Sequence, residues 1–218
     1  MSNKNLIDEL VIVGAGGHGR SLFGLATAIG YQSIKVIDLE HKVTLPLKIQ
    51  AIKQNLPTRN NCRYVIAAGN NYIREQLNDI FIQLNPLARP ETLIHPNSFI
   101  SQKVSIGDGT VIMPMCVVND SVDIGKGVII NSNSTIDHNC VFSDFSSLAP
   151  GVVLGGGVQI GNRSFIGIGS IISNNLVVSE NSIVGAGSLV LRNVESGSLY
   201  YGSPAKNIRK LSPNENIF

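Results

Sequence analysis

The sequence predicts a mixed fold, with a small N-terminal βαβ domain followed by a left-handed parallel β-helix. Two observations predict it: a six-residue periodicity that runs unbroken through the C-terminal half, and a glycine-rich loop after an apolar strand near the N-terminus. The change from one pattern to the other divides the chain into residues 1–90 and residues 91–218. A chain of 218 residues has room for two domains of this size.

Large apolar residues recur at every sixth position from Ile94 to Val190. This period matches neither an α-helix nor a strand that alternates without turning. It matches a triangular solenoid, in which each hexapeptide forms one short strand and one corner, and three hexapeptides form a coil. Small residues such as Ser134 and Cys140 follow the apolar positions, and Gly or Asn suits corners that need a positive φ. A β-sandwich would lose phase, because its hairpin loops vary in length.

The N-terminal segment has the pattern of a phosphate-binding loop. The apolar run Leu10–Val13 predicts a strand, and Gly14, Gly16 and Gly19 follow it with the spacing G-x-G-x-x-G before a helical stretch. Asp38 lies 19 residues beyond Gly19, as the acid of a dinucleotide fingerprint does. Backbone N–H groups at the start of a helix attract a diphosphate, so the loop predicts a nucleotide site.

Two further strands are predicted at residues 33–38 and 63–68, and a second helix at residues 72–83. The sheet is expected to be parallel, because strands alternate with helices. A full dinucleotide fold needs two mononucleotide halves, and one fits before residue 90. The segment therefore favours a Rossmann-like domain that binds a nucleotide diphosphate attached to a sugar, over NAD and over a structural turn without a ligand.

Composition and charge argue against several classes of function. A formal net charge of +2 gives no electrostatic case for binding nucleic acid or an anionic membrane. We find no signal peptide, and no apolar run approaches the roughly 20 residues that cross a bilayer. Cys62, Cys116 and Cys140 are odd in number and have no metal-like spacing, which indicates free thiols in a cytoplasmic protein without a metal.

Four histidines are the candidates for acid–base chemistry, and His138 stands out because it alone lies within the repeats. Imidazole groups exchange protons near neutral pH, so an exposed histidine on a β-helix is suited to accept a proton from an attacking nucleophile. A solvated corner histidine is an equally open interpretation. His18 lies in the glycine loop and is placed to contact phosphate or ribose, whereas His95 and His41 are expected in a structural corner and a polar linker.

Seven sequence features together resemble one family, the hexapeptide-repeat transferases of the sialic-acid O-acetyltransferase-like and nucleotide-sugar N-acetyltransferase group. They are IVGAGGHGR (12–20), Asp38, AAGNNYIR (67–74), IHPNS (94–98), IDHNC (136–140), APG (149–151) and YGSPAK (201–206). The resemblance implies a homotrimer with active sites between neighbouring β-helices. It also implies acetyl-CoA as co-substrate and the amine of a nucleotide-linked 4-amino-4,6-dideoxysugar as acceptor, in surface glycan biosynthesis.

The same resemblance implies roles for individual residues. His138 matches the general base of the family, and Asn139 takes the position where the family usually has Glu or Asp. The residues implied in nucleotide-sugar binding are Gly14, Gly16, Gly17, His18, Gly19, Asp38, Gly69, Asn70, Arg74 and Asn131. Those implied in acetyl-CoA binding are Ser147, Gly156, Ile168, Ala186 and Pro204. Ser147 also stands where relatives often have a second histidine.

Transfer of acetyl to a UDP- or dTDP-linked amino sugar is the leading hypothesis, with GDP-linked acceptors ranked below these two. An O-acetyltransferase acting on sialic acid or a related sugar is the alternative within the same class, and the intact phosphate loop favours the first. Two hypotheses come from other classes. The missing second mononucleotide half argues against an NAD(P)-binding oxidoreductase, and Asn139 in place of an acid keeps a non-catalytic β-helix scaffold open.

Overall fold

The computed structural model describes residues 9–37, 62–212 and 215, so Asp38 and His41 lie outside the described residues. Its N-terminal part is a parallel four-stranded sheet in the order β2-β1-β3-β4, with one helix after β1 and another after β3. These elements are β1 (Leu10–Val13), α1 (Gly17–Ile29), β2 (Ile34–Ile37), β3 (Arg63–Ile66), α2 (Asn71–Leu84) and β4 (Arg89–Pro90). The βαβ arrangement expected from the sequence is confirmed.

Both faces of this sheet are covered, as expected for parallel strands. Leu10 and Ile12 point to one face and pack with Leu22 of α1. Val11 and Val13, which alternate with them along the strand, point to the other face and pack in the cluster that contains the α2 side chains Leu77 and Phe81. The apolar run of β1 is continuous because each of its residues has a helix to pack against.

The C-terminal part is a parallel β-helix of seventeen two-residue strands, β5 to β21, in which each strand pairs with the third strand along. The first face holds β5 (Leu93–Ile94), β8 (Val111–Ile112), β11 (Ile129–Ile130), β14 (Ser147–Leu148), β17 (Phe165–Ile166) and β20 (Ile183–Val184). The second holds β6 (Phe99–Ile100), β9 (Val117–Val118), β12 (Thr135–Ile136), β15 (Val153–Leu154), β18 (Ile171–Ile172) and β21 (Leu189–Val190). The third holds β7 (Ser105–Ile106), β10 (Asp123–Ile124), β13 (Val141–Phe142), β16 (Gln159–Ile160) and β19 (Val177–Val178).

The second residue of each strand belongs to the row of apolar residues with a period of six, and these side chains form the interior of the prism. The small residues near the corners are buried as well, and their hydroxyl groups bond to backbone. Thr110 Oγ1, for example, donates to Gly125 O at 2.8 Å, and Ser164 Oγ donates to Ser179 O at 2.6 Å. The predicted hexapeptide architecture is confirmed.

The corners refine one expectation about glycine. From Ile106 to Val184, the third residue after each inward side chain has a positive φ angle, for example Asn139 (φ 60°) and Gly157 (φ 71°). The glycines directly after the inward residues serve another purpose, which Gly167 illustrates. A Cβ at Gly167 would lie 2.6 Å from Ala186 N in the next coil, so close stacking of the coils requires glycine there.

We call the corners 1–2, 2–3 and 3–1 after the faces they join. The outer side of the first face is covered near its start by the N-terminal domain, because Leu93 and Val111 pack in the same cluster as Leu22. Farther along, Phe165 and Ile183 are covered by the C-terminal segment. That segment contains β22 (Ser198–Gly202) and β23 (Ala205–Lys210), which extend this sheet.

The second face and its corners are different, because apolar side chains remain exposed there. We define the open apolar face by these residues, which are each at least 40% exposed: Phe99, Met115, Val153, Ile168, Ile171 and Leu191.

Within the described ranges, no helix has the length and apolar character needed to span a bilayer. Cys62, Cys116 and Cys140 are buried and free.

Candidate active site

The glycine loop leaves the carboxyl end of β1 and opens α1. Gly14 has a φ of 118°, and a Cβ on Gly19 would collide with the carbonyl oxygen of Gly14, so both positions require glycine. Gly16 is the N-cap of α1 and offers no side-chain cap, and no acidic residue lies in the first turn. The N–H groups at this helix end and the helix dipole therefore create a positive environment suited to an anion.

His18 lies in the first turn of α1, and one of its ring nitrogens lacks a hydrogen-bond partner among the described residues. Its Nε2 is buried and has no hydrogen-bond partner among the described residues. Burial, and then the charge of Arg74, lower the pKa of His18 from 6.5 to about 4. The imidazole is therefore neutral at pH 7, and its unpaired nitrogen lies beside the glycine loop. An orphaned polar atom of this kind is typical of a site that a ligand completes.

Gly69 and Asn70 follow β3, the strand that runs parallel to β1 and next to it. The loop after β1 and the loop after β3 therefore lie at the same edge of the sheet, where ligands of such folds bind. Asn70 also caps α2, because its Oδ1 accepts a hydrogen bond from Ile73 N at 3.0 Å. The structure thus brings together the predicted residues 14–19 and 69–70.

Arg74 and Ser147 lie elsewhere than the sequence suggested. Both are 2% exposed and meet between the N-terminal domain and the β-helix. Arg74 Nη2 donates to Ser147 Oγ at 3.1 Å, and this hydroxyl donates to Asn71 Oδ1 at 2.5 Å. These groups are engaged with protein atoms, so neither side chain faces an open surface in this structure. Asn71, the residue after the predicted Asn70, completes the contact.

His138 lies in the 2–3 corner, and 61% of its side chain is exposed. Its Nδ1 is 2.8 Å from Asn139 Oδ1. Because a carbonyl oxygen can only accept, this contact favours the neutral tautomer that has the hydrogen on Nδ1 and the lone pair on Nε2. Asp137 Oδ2 is 4.0 Å from Nε2, and the other oxygen of this carboxylate accepts from His138 N at 2.8 Å. A neutral amide thus holds the ring on one side, and a carboxylate lies near the free nitrogen.

Gly156 lies one coil after His138, directly against the imidazole. A Cβ at this position would be 2.7 Å from His138 Cε1 and 2.9 Å from Nε2, so only glycine leaves room for the ring. Within the described part of the chain, the Gly156 N–H donates no hydrogen bond. The imidazole therefore lies against a residue whose backbone N–H has no acceptor among the described residues, and acyl transfer needs a base and such a donor.

The remaining predicted acetyl-CoA contacts lie on the opposite side of the second face. Ile168 and Ala186 are exposed in the 1–2 corner, and Pro204 is exposed in the turn between β22 and β23. Asn131 is in the same corner, and its Nδ2 donates to Leu148 O at 2.8 Å. Within one chain, these residues are therefore separated from His138 by the width of the open apolar face. No group of side chains suited to holding a metal ion occurs among the residues described.

Comparison with known proteins gives two matching family models. Residues 9–81 match the PglD N-terminal domain, and residues 103–138 match the bacterial transferase hexapeptide (six repeats). The GDP-perosamine N-acetyltransferase of Escherichia coli O157:H7 is 30% identical over 95 residues, which are 44% of this chain and 42% of that protein. The chain spans about half the length of the curated relatives it matches.

Solved structures match over nearly the whole chain. The acetyltransferase domain of PglB from Neisseria gonorrhoeae FA1090 is 31% identical, with a TM-score of 0.83 over 92% of this chain and 100% of that one. This chain belongs to the same family of hexapeptide-repeat acetyltransferases as that domain. Another member of similar fold is PerB from Caulobacter crescentus, solved in complex with CoA and GDP-perosamine. It is 28% identical, with a TM-score of 0.81 over 93% of this chain and 98% of its own.

Proposed function

We propose that the protein transfers the acetyl group of acetyl-CoA to the 4-amino group of a nucleotide-linked 4-amino-4,6-dideoxysugar. The observation that carries this proposal is the contact of the His138 imidazole with Gly156, whose N–H has no acceptor among the described residues, in a chain that also has a glycine loop suited to a diphosphate. Family membership supports it, because PerB is a relative whose structure holds CoA and GDP-perosamine.

In the proposed reaction, the amine nitrogen attacks the thioester carbonyl carbon while His138 Nε2 accepts a proton from that nitrogen. The Gly156 N–H donates to the oxyanion that forms, as a backbone donor does in acyl transfer. The carbon–sulfur bond then breaks, the amide remains on the sugar, and CoA leaves as a thiolate that takes up a proton. Asn139 keeps the ring in the tautomer with a free Nε2, and Asp137 stabilises the imidazolium through space.

The nucleotide diphosphate is proposed to bind at the start of α1, on Gly14, Gly16, Gly17 and Gly19, with His18 as a neutral partner. Gly69 and Asn70 lie at the same sheet edge and complete this side of the site. Asp38 remains the proposed ribose contact, although it lies outside the described residues. UDP and dTDP remain our proposed carriers ahead of GDP, although a relative binds GDP-perosamine.

We further propose a homotrimer built through the open apolar face. Contiguous exposed apolar surface of this kind marks an interface. If three prisms pack through their second faces, the 2–3 corner of one subunit meets the 1–2 corner of the next. His138 and Gly156 of one subunit then face Ile168, Ala186 and Asn131 of its neighbour, and acetyl-CoA binds between them. The separation of these residues within one chain supports this arrangement.

The division of the chain at residue 90 remains a proposal as well. β4 pairs with the N-terminal sheet at residues 89–90, whereas β5 at residues 93–94 already pairs with β8 of the β-helix. Residues 1–90 would then bind the nucleotide, and residues 91–218 would bind acetyl-CoA. A cytoplasmic location is also proposed, because the three buried cysteines are free, as thiols are in a reducing compartment.

The experiment that tests the function measures release of the CoA thiol from acetyl-CoA with a panel of acceptors. The panel contains UDP-, dTDP- and GDP-linked 4-amino-4,6-dideoxysugars, together with free and CMP-linked sialic acid. Release with a 4-amino sugar supports the proposal and identifies the nucleotide. Release only with a sialic acid would replace the proposal by O-acetylation, and no release with any acceptor would contradict it.

A further inference from the structure

Arg74 is a fully buried cation, and no carboxylate of the described residues accepts a hydrogen bond from it. Desolvation lowers the pKa of its guanidinium to about 9, so the side chain is still charged at neutral pH. Burying a charge is costly unless every donor finds an acceptor, and an apolar side chain would avoid that cost. The position of this arginine therefore calls for an explanation beyond packing.

The acceptors of Arg74 belong to both domains. On the side of the N-terminal domain, Nη1 donates to Ala68 O at 3.0 Å and Nη2 donates to Asn71 Oδ1 at 2.7 Å. On the side of the β-helix, Nε donates to Gly127 O at 2.8 Å and Nη2 donates to Phe145 O at 2.9 Å. The planar guanidinium has five N–H donors in a fixed fork, so it fixes the angle as well as the distance between the domains.

Asn71 extends this contact by one coil. Its Nδ2 donates to the carbonyl oxygens of Arg163 and Ser164, each at 3.0 Å. Gly127, Phe145 and Arg163 occupy the same place in the 3–1 corner of three successive coils. The first turn of α2 is therefore bonded to three coils of the β-helix, so both sliding and rotation of the N-terminal domain would break hydrogen bonds.

The same contact reaches the edge of the sheet where the nucleotide is proposed to bind. Ala68 follows β3, and its neighbour Ala67 packs against Gly14 of the glycine loop, where a Cβ would lie 3.1 Å from Ala67 O. The charge of Arg74 also acts on His18, because it is one of the two causes that lower the pKa of this imidazole. Arg74 thus connects the proposed diphosphate site to the β-helix by contacts and by charge.

We propose that Arg74, together with Asn71, is a positioning residue that sets where the bound nucleotide sugar lies relative to the acetyl group. This inference rests on the proposed function. The diphosphate site belongs to the N-terminal domain, whereas the acetyl-CoA site belongs to the β-helix, so the distance between amine and thioester depends on how the domains are fixed together. A reacting pair displaced by about 1 Å can lose roughly a hundredfold in rate.

The test compares Arg74→Lys, which keeps the charge but loses the planar fork, with Asn71→Ala and with the control Arg89→Gln. Arg89 lies in β4 of the same domain and is exposed, and it makes no side-chain hydrogen bond or ion pair with the described residues, so its replacement should leave all readouts unchanged. For each variant, circular dichroism gives the folded fraction and calorimetry gives the binding of acetyl-CoA and of UDP, dTDP and GDP. The rate constant kcat is then expressed per folded site.

We expect Arg74→Lys to bind acetyl-CoA and the wild-type protein's preferred nucleotide with affinities within about threefold of the wild type, while kcat per folded site falls about tenfold or more. The kcat per folded site of Asn71→Ala should also fall, but by a smaller factor. An unchanged kcat per folded site, or a loss that only follows the folded fraction, would overturn the proposal. Arg74→Gln, which leaves the carbonyl oxygens without a cation, should lower kcat further if it folds.

Scanning calorimetry keeps this test separate from the proposed function. The wild type should unfold in one transition because the domains are bonded together, and Arg74→Lys should show two. A single transition in both proteins would count against the coupling, whatever the activity. If the wild type transferred acetyl to no 4-amino sugar, the proposed function would fail, while two transitions in Arg74→Lys would still support fixation of the domains by Arg74.

Discussion

The imidazole of His138 lies against Gly156, at a distance that leaves no space for a side chain between them: a Cβ at Gly156 would be 2.7 Å from His138 Cε1. Gly156 has an ordinary φ angle, so its backbone does not require glycine. The requirement comes from the ring alone. Close contact between the imidazole of His138 and the backbone of Gly156 is the geometric centre of the proposed site.

Gly156→Ala should therefore displace the ring without unfolding the chain. We expect kcat for acetyl transfer to fall roughly tenfold to a hundredfold, because the base and the oxyanion donor lose their relative position. Thermal unfolding should change little. Gly24→Ala is the matched control, since a Cβ there meets no atom within 4 Å. A Gly156→Ala enzyme with full activity would show that the base does not act from this position.

His138→Ala should lower kcat by about a hundredfold or more, as expected when a general base is removed. Acetyl-CoA binding, measured by calorimetry, should be nearly unchanged, which separates the chemical step from binding. Asn139→Ala should lower kcat by less, because the ring keeps its nitrogen but loses the acceptor that fixes its tautomer. An unchanged kcat in His138→Ala would mean that the amine arrives unprotonated and that the histidine only positions it.

The lowered pKa of His18 makes the free energy of unfolding depend on pH. Its folded pKa of about 4 lies below the ordinary value of 6.5, so the unfolded chain binds more protons between these values. The stabilisation is complete above pH 6.5 and is lost as the pH falls towards 4, by up to about 1.4 kcal/mol per pH unit. Denaturant unfolding at several pH values should show a shallower loss for His18→Gln than for the wild type. Equal slopes would contradict a buried, neutral His18.

The open apolar face predicts a specific effect on assembly. Val153→Glu and Ile171→Glu place charges on a surface that we expect to be buried between subunits, so light scattering should show monomers instead of trimers. CoA release should be lost together with the trimer, because the two corners of each site come from different subunits. Gln159→Glu, on the exposed third face, is the control and should remain trimeric. A monomeric wild type with full activity would contradict the assembly.

The sequence predicts the β-helix well because its determinants are local and repeated. An inward residue such as Ile136 or Ile160 is followed by another large apolar residue six positions along the chain, so the period alone identifies the interior. The glycine loop is predictable for a similar reason, since Gly14 and Gly19 meet within one strand–helix turn. His138 could also be singled out, because the one other histidine of the β-helix, His95, lies in its first corner.

The placement of Arg74 could not be predicted in this way. The family resemblance implies a ligand contact for this side chain, but its acceptors Gly127 and Phe145 lie in the β-helix. Which groups a side chain reaches across two domains depends on how they pack, and no local pattern encodes that. The resemblance also implies a contact of Ser147 with acetyl-CoA, whereas in the structure its hydroxyl bonds to Asn71 across the two domains.

The most direct test of the central claim is the structure of the product. The wild-type protein would be incubated with acetyl-CoA and the 4-amino sugar that gives the fastest CoA release, and the product would be analysed by mass spectrometry and NMR before and after hydroxylamine treatment. We predict one acetyl group, stable to hydroxylamine, with the NMR signature of an amide at the C4 nitrogen. An acetyl group that hydroxylamine removes, or one attached to a hydroxyl oxygen, would contradict the proposed N-acetylation.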